Sequence, residues 1–140
     1  MSVYLDASVL VALFTHDLLG ARADAFLRTH SPVLVVSDFA AAEFASAIAR
    51  HVRTGAIKVG DARRAFATFD AWSARAAGQA LTTSADVVSA AAYLRRLDLP
   101  LRTPDALNIA ITQRIGAELM TFDHKMAASA RTLGTTVVVC

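Results

Sequence analysis

Short apolar runs alternate with longer helical patterns along this chain, and the alternation limits the folds that are open to it. Residues 3–5, 33–36, 118–121 and 136–139 are predicted to be buried strands, because they are brief, apolar and rich in Val and Leu. A helical pattern separates each strand from the next, and no hairpin turn joins any two of them. The sequence therefore predicts an α/β fold on a parallel sheet.

Helices are predicted from apolar spacing and from the residues that cap or stop each pattern. Ser8 and Ser84 are the predicted caps of the first and fifth helices, and Thr103 caps the sixth, with Pro104 in its first turn. Since helices outnumber strands, a helical arm is predicted around residues 38–77. The predicted helices cover residues 8–15, 19–29, 38–53, 61–77, a segment that begins at Ser84, 103–115 and 123–133.

Composition supports a single domain over residues 1–140 with a substantial core. Hydrophobic residues make up 55% of the chain and charged residues only 19%, so the apolar surplus predicts a large core together with a subunit interface. Cys140 is the one cysteine, which excludes an intramolecular disulfide. No charge-free stretch approaches the roughly 20 residues that a membrane span needs. The chain is expected to be soluble and cytoplasmic, without a membrane partner.

Four acidic residues mark breaks in this apolar pattern. Asp6 ends the first predicted strand, Glu43 lies about one turn into the helix after the second, Asp105 opens a helix, and Asp123 follows the strand at residues 118–121. The carboxyl ends of parallel strands gather at one edge of a sheet. Four carboxylates that meet there would repel one another without a cation, so the pattern predicts a site for a hard divalent metal.

Each acid also has an ordinary structural explanation when it is taken alone. Asp105 and Asp123 are typical of helix N-termini, and Glu43 is typical of a solvated helix face. Asp6 is harder to explain, because an unpartnered acid between a buried strand and an apolar helix is costly. Their joint occurrence at matching strand ends favours a site.

Short polar side chains accompany the acids. Ser8 lies two residues after Asp6, and Thr121 lies two residues before Asp123, where hydroxyls can orient carboxylate oxygens. Asn108 and Thr112 follow Asp105 at helical spacing, so they are predicted to form a polar stripe that lines a cleft.

Four segments together resemble the PIN-domain ribonucleases, in particular the VapC-type toxins of bacterial toxin–antitoxin pairs. They are residues 4–11, 37–43, 101–110 and 119–123, which run in order through the whole chain. The resemblance implies a three-layer α/β/α fold with a short central parallel sheet and a helical arm. It also implies that Asp6, Glu43, Asp105 and Asp123 form an acidic pocket for Mg²⁺ or Mn²⁺.

The resemblance assigns roles within that pocket. Asp6 and Asp105 match metal ligands, Asp123 matches a more variable acid that acts through water, and Ser8 and Thr121 match supporting positions. One departure is Asn108, where many relatives carry His, so no proton-transfer role is assigned to it. The implied partners are a cognate antitoxin, an RNA substrate and a second copy of the chain in a homodimer.

The antitoxin is expected to drape over the helical arm. Its predicted seat is the groove between the helices at residues 38–53 and 61–77, from which it would present Arg or Lys to the four acids. The aromatic stripe Phe66, Phe69 and Trp72 agrees with such a surface, although a role in the core explains those rings equally well.

The predicted chemistry is hydrolysis of RNA phosphodiester bonds with Mg²⁺, and Arg50, Arg53 and Arg102 are candidates for binding the RNA backbone. A metal-dependent phosphatase is an alternative, but it needs a second acid two residues after the first, where this chain has Ser8. A metal-free binding scaffold would leave the four acids uncompensated. A PIN-like nuclease that acts on DNA, or in RNA processing without a toxin role, stays open.

Overall fold

A five-stranded parallel sheet organises the fold. The computed structural model describes residues 1–138, so Val139, predicted to end the last strand, and Cys140 lie outside the described residues. Adjacent strands are parallel and follow the order β3-β2-β1-β4-β5, which confirms the predicted α/β class. The strands are β1 (Ser2–Leu5), β2 (Val33–Ser37), β3 (Ala77–Ala80), β4 (Glu118–Met120) and β5 (Val137–Val138).

Seven helices, lying between residues 7 and 132, connect these strands. Helices α1 to α4 pack on one another in one group, and α5 packs on α6 in a second group. The helices are α1 (Ala7–Phe14), α2 (Leu18–His30), α3 (Asp38–Arg53), α4 (Val59–Ala76), α5 (Ser84–Leu94), α6 (Thr103–Arg114) and α7 (His124–Thr132).

The strand order places the two groups of helices on opposite faces of the sheet. From β1 the chain steps outward to β2 and β3, then returns across the sheet to β4 and β5. Right-handed crossovers that run in opposite directions put their helices on opposite faces. The result is the three-layer α/β/α arrangement that the family resemblance implied.

Strand β3 was not predicted from the sequence. Its residues are Ala77, Gly78, Gln79 and Ala80, none of which is a strong strand former. It is nevertheless paired with β2 along its whole length, from Leu34 opposite Ala77 to Ser37 opposite Ala80. Tertiary pairing at the sheet edge thus overrides a weak local preference, and α4 ends at Ala76, directly before the strand.

Three predicted helix caps differ from those in the structure. Asp6, rather than Ser8, caps α1 and accepts a hydrogen bond from the amide of Val9. Thr83, rather than Ser84, caps α5 and forms a capping box with Asp86. Helix α6 begins at Thr103 after the cap position Arg102, with Pro104 in its first turn. In the first and third cases a functional candidate, Asp6 or Asp105, satisfies free backbone amides at a helix start.

The predicted helical arm, α3 and α4, packs on α1 through an aromatic cluster. Phe44 and Phe69 lie 4.8 Å apart between ring centroids, and Phe14 contacts both Phe69 at 5.5 Å and Trp72 at 5.4 Å. Phe66 meets Phe44 edge-on. The stripe on α4 therefore belongs to the core, which is the simpler of its two explanations.

No helix within residues 1–138 is both long enough and apolar enough to cross a lipid bilayer.

Candidate active site

One cleft at the carboxyl edge of the sheet brings the four acids together. It has a volume of about 720 Å³ and is bounded by the start of α1, one side of α3, the N-terminus of α6 and the start of α7. The acids on its wall are Asp6, Glu43, Asp105 and Asp123, which reach it from four separate parts of the chain.

Asp6 forms the floor of the cleft and is 5% exposed. Its Oδ1 accepts hydrogen bonds from the Ser8 hydroxyl at 2.6 Å and the Val9 amide at 3.2 Å, and its Oδ2 accepts one from the Thr121 hydroxyl at 2.6 Å. The two strands that carry these groups are neighbours, since Leu5 of β1 pairs with Met120 of β4. Asp6 is therefore held in one orientation by groups from both strand ends.

The two hydroxyls are themselves fixed by the backbone. Ser8 Oγ accepts a hydrogen bond from the Phe122 amide at 2.9 Å, and Thr121 Oγ1 accepts one from the Asp123 amide at 3.0 Å. Each hydroxyl thus accepts from the backbone and donates to Asp6. This is the geometry expected of groups that orient a metal-binding carboxylate.

Burial raises the pKa of the Asp6 carboxyl above its ordinary value. Hydrogen bonds from Ser8, Thr121 and the Val9 amide favour the charged form, but they do not offset the loss of solvation. An ionised Asp6 is therefore costly in the protein alone, and a nearby cation would relieve that cost.

Glu43 reaches the cleft from α3 and is held by the Asn108 side chain. Asn108 Nδ2 donates to Glu43 Oε1 at 2.7 Å and to the Pro104 carbonyl at 2.9 Å. Burial raises the pKa of the Glu43 carboxyl, the Asn108 hydrogen bond opposes that shift, and the charges of Asp6 and Asp105 raise it further. The carboxylates are thus close enough to repel one another.

Behind Asn108 lies a buried hydroxyl pair that the sequence reasoning missed. The Tyr4 hydroxyl donates to Asn108 Oδ1 at 2.5 Å and lies 2.6 Å from Ser37 Oγ. Tyr4 is fully buried and Ser37 is 1% exposed. A signal was available in the strand, because Tyr4 is two residues before Asp6 and side chains two apart lie on the same face.

Asp105 and Asp123 occupy the outer part of the cleft. Asp105 is half-buried in the first turn of α6, where its Oδ2 accepts a hydrogen bond from the Arg102 amide at 3.0 Å. Asp123 is exposed and caps α7 by accepting from the Met126 amide at 3.0 Å. Asp6 is therefore the least exposed of the four acids, Glu43 and Asp105 are half-buried, and Asp123 is the most exposed.

The predicted polar stripe on α6 is only half correct. Asn108 lines the cleft, but Thr112 is fully buried and donates its hydroxyl to the backbone carbonyl of Asn108 at 2.7 Å. Residues 106–112 are all buried, because α6 is packed around its whole circumference. Thr112 consequently satisfies its hydroxyl within the helix instead of facing a ligand.

Three arginines line the same cleft. Arg50 and Arg53 follow Glu43 along α3 at seven and ten residues, and Arg102 precedes α6. All three are exposed, and none forms an ion pair with an acid in the part of the chain that the structure describes. The cleft thus combines a carboxylate wall with unpaired guanidinium groups, which suits a phosphate-bearing ligand.

The donor set fits a hydrated Mg²⁺ or Mn²⁺ ion better than a fully protein-ligated one. Within residues 1–138, no three Asp, Glu, His or Cys side chains converge closely enough to enclose a metal ion. Mg²⁺ usually keeps several waters and binds through one or two carboxylates. The mutual repulsion at Glu43 and the costly charge on Asp6 indicate that a cation would stabilise this arrangement.

Comparison with known sequences assigns the same region to a family. The PIN domain model matches residues 3–131, which include all four acids. Ribonuclease VapC46 of Mycobacterium tuberculosis is 34% identical over 140 residues, covering 98% of this chain and 96% of that protein.

Solved structures share the fold at lower identity. VapC20 of Mycobacterium tuberculosis, a toxin that cleaves the sarcin–ricin loop, has a TM-score of 0.76 at 20% identity and covers 99% of both chains. VapBC2 from Rickettsia felis, bound to a DNA fragment from its promoter, has a TM-score of 0.72 at 13% identity, over 99% of this chain and 98% of that one.

Proposed function

The chain belongs to the PIN-domain family and to its VapC-type members, and from that premise we propose that it is a Mg²⁺-dependent endoribonuclease, the toxin of a toxin–antitoxin pair. The observation that carries the proposal is the meeting of Asp6, Glu43, Asp105 and Asp123 in one cleft with three unpaired arginines. Carboxylates suit a hard divalent ion, and guanidinium groups suit the phosphates of a nucleic acid.

Asp6 and Asp105 would hold the metal, with Glu43 and Asp123 acting on its water shell. Asp6 is the most rigid of the four, because Ser8, Thr121 and the Val9 amide fix both of its oxygens. When bound, Mg²⁺ supplies positive charge that stabilises the charge developing on a phosphate and lowers the pKa of bound water.

The remaining tasks fall to the side chains of the cleft. Glu43, held at Oε1 by Asn108, would accept a proton or orient a water molecule. Arg50, Arg53 and Arg102 would bind phosphates of the RNA on either side of the acids. Among residues 1–138, no His or Lys lines the cleft as an acid–base pair, so the expected products carry 5′-phosphate and 3′-hydroxyl ends.

An antitoxin is the proposed protein partner. Solved relatives with this fold include VapBC2 from Rickettsia felis and VapBC-1 from nontypeable Haemophilus influenzae, at TM-scores of 0.72 and 0.67. In this chain an antitoxin segment that places Arg or Lys against the four acids would block the cleft, because a guanidinium forms charge-assisted hydrogen bonds to the same oxygens as a metal.

The experiment that tests the proposed activity compares substrate classes. RNA and DNA oligonucleotides of matching sequence and p-nitrophenyl phosphate are incubated with the purified chain in Mg²⁺ and in EDTA. Cleavage of RNA alone, lost in EDTA, is expected. Cleavage of DNA would identify a different nuclease, and release of nitrophenol without oligonucleotide cleavage would identify a phosphatase.

A further inference from the structure

A continuous hydrogen-bond chain runs from the core of the sheet to the acid on α3. It joins Ser37 at the end of β2, Tyr4 in β1, Asn108 in α6 and Glu43 in α3, with distances of 2.6, 2.5 and 2.7 Å. Ser37, Tyr4 and Asn108 are 1%, 0% and 3% exposed. Water is therefore excluded from every link except the last.

The donors and acceptors allow only one direction of donation along these hydrogen bonds. Tyr4 gives its single proton to Asn108 Oδ1, so in its contact with Ser37 the Tyr4 oxygen accepts and Ser37 Oγ donates. Ser37 Oγ itself accepts a hydrogen bond from the Ala40 amide at 2.8 Å. Each link ends on the group that donates next, and the last acceptor is a carboxylate, which strengthens the hydrogen bond to it.

The Asn108 amide is held in one orientation by its neighbours. With Oδ1 turned to the Tyr4 hydroxyl, Nδ2 donates to both Glu43 Oε1 and the Pro104 carbonyl. A flipped amide would set its oxygen against those two acceptors. The Tyr4 hydroxyl and the Pro104 carbonyl together hold the amide nitrogen toward Glu43.

Glu43 depends on this contact because no other side chain orients it. It is a half-buried, long side chain, and no group within residues 1–138 hydrogen-bonds its second oxygen, Oε2. Asn108 therefore fixes Oε1 of a side chain that lines the cleft. Asp6, by contrast, has three hydrogen-bond partners of its own and does not depend on Tyr4 or Asn108.

We propose that Tyr4 is a positioning residue, which acts through Asn108 to hold Glu43 in the geometry that the cleft needs to bind a divalent cation. The inference rests on the proposed function, since it concerns the same metal site. Outer partners of metal-binding groups typically change metal affinity by about 10- to 100-fold when they are removed. Tyr4→Phe removes one oxygen and keeps the ring in the core.

The test measures Mn²⁺ binding by electron paramagnetic resonance of the free ion, without any RNA. The native chain is compared with Tyr4→Phe and with Tyr93→Phe as a matched control, because Tyr93 also hydrogen-bonds a side-chain amide, Gln113, but away from the cleft. We expect Tyr4→Phe to weaken Mn²⁺ binding about tenfold and Tyr93→Phe to leave it unchanged.

A double-mutant cycle separates positioning from a general structural effect. In a Glu43→Gln background, Tyr4→Phe should cost less than about twofold, because the group that it positions is gone. If Tyr4→Phe fails to fold, Asn108→Ala replaces it in the same cycle. Equal Mn²⁺ affinity of Tyr4→Phe and the native chain, or an undiminished loss in the Glu43→Gln background, would overturn the inference. No Mn²⁺ binding by the native chain would overturn the proposed function and the inference with it.

Discussion

The hydroxyl of Thr121 lies 2.6 Å from Oδ2 of Asp6 and donates a hydrogen bond to it, although 115 positions separate the two residues. The contact exists because β1 and β4 are parallel neighbours whose carboxyl ends lie side by side. It joins the two strand ends that frame the deepest acid of the cleft.

Asp6→Asn should stabilise the metal-free chain at neutral pH. The pKa of Asp6 is raised in the folded state, so its contribution favours folding below the ordinary Asp pKa and is lost as the pH rises through the folded value. Asn removes this cost and keeps the cap acceptor for the Val9 amide. Thermal melts in EDTA should show a melting temperature about 3 °C higher at pH 7, the shift that roughly 1 kcal/mol produces in a domain of this size. The rise should be smaller at pH 3.

Asp86→Asn is the matched control for that melt. Burial raises the pKa of Asp86, but hydrogen bonds from Arg114 and Thr83 outweigh it and lower the pKa overall. Its contribution is therefore present above the ordinary Asp pKa and is lost as the pH falls through the folded value. The substitution should destabilise the chain at pH 7 by about 1–3 kcal/mol. Destabilisation by Asp6→Asn at pH 7 would show that its charge is not costly.

Arg50→Ala and Arg53→Ala should weaken RNA binding through loss of phosphate contacts. Each lost contact to a single strand should reduce the slope of log affinity against log salt by about 0.7. Fluorescence anisotropy of a labelled RNA, measured in an Asp105→Asn background that is expected to bind without cutting, gives that slope. Arg28→Ala is the control, since Arg28 is ion-paired with Asp24 on α2 and does not line the cleft. Slopes unchanged from those of the background would place the RNA elsewhere.

Self-association through α5 should make the chain a homodimer. Leu81, Val87 and Val88 are 68%, 55% and 69% exposed and lie on or beside that helix. Light scattering should give twice the 14.8 kDa mass of the chain, and Val88→Asp should halve it. Leu18→Asp, at a position on α2 that is 87% exposed, should leave the mass unchanged. A native chain that stays monomeric at micromolar concentration would reject the dimer.

Antitoxin binding should compete with Mg²⁺ if a basic side chain occupies the acidic wall. Calorimetry with the cognate antitoxin should show about tenfold weaker binding in saturating Mg²⁺ than at the same ionic strength without it, and similarly weaker binding to Asp105→Asn. Asp24→Asn is a control, because Asp24 lies on α2, outside both the cleft and the predicted antitoxin groove, and pairs with Arg28. An affinity that is unchanged by Mg²⁺ and by Asp105→Asn would mean that the antitoxin inhibits without contacting the four acids.

Sequence pattern was sufficient to predict the parallel sheet and to place the four acids at its carboxyl edge, where the structure brings them into one cleft. Once residues 3–5, 33–36 and 118–121 are taken as parallel strands, Asp6 and Asp123 lie at the same edge, and the pairing of β1 with β4 makes them neighbours. Strand β3 could not be predicted, because Ala77–Ala80 is a strand only through its pairing with β2. The sequence could not decide whether Asp6 and Asp123 are helix caps or site residues, because each of them is a helix cap and also lines the cleft.

The support of the site was the part that sequence could not predict. Tyr4 and Asn108 are 104 positions apart, and their hydrogen bond depends on how α6 packs against the sheet. Thr112 was misplaced for the same reason, because helical spacing from Asp105 does not say which faces of α6 are covered. Since residues 106–112 of α6 are all buried, its apolar residues do not mark one face of the helix.

The proposed activity requires the carboxylate cleft to bind a divalent metal and to cut RNA. Both are tested together by the cleavage of a 5′-labelled single-stranded RNA by the native chain, by Asp105→Asn and by Asp86→Asn, each in Mg²⁺ and in excess EDTA. The expected result is cleavage in Mg²⁺ by the native chain and Asp86→Asn, with 5′-phosphate ends, and a loss of at least about 100-fold in Asp105→Asn or EDTA. Full activity in EDTA, or in Asp105→Asn at equal concentration, would contradict it.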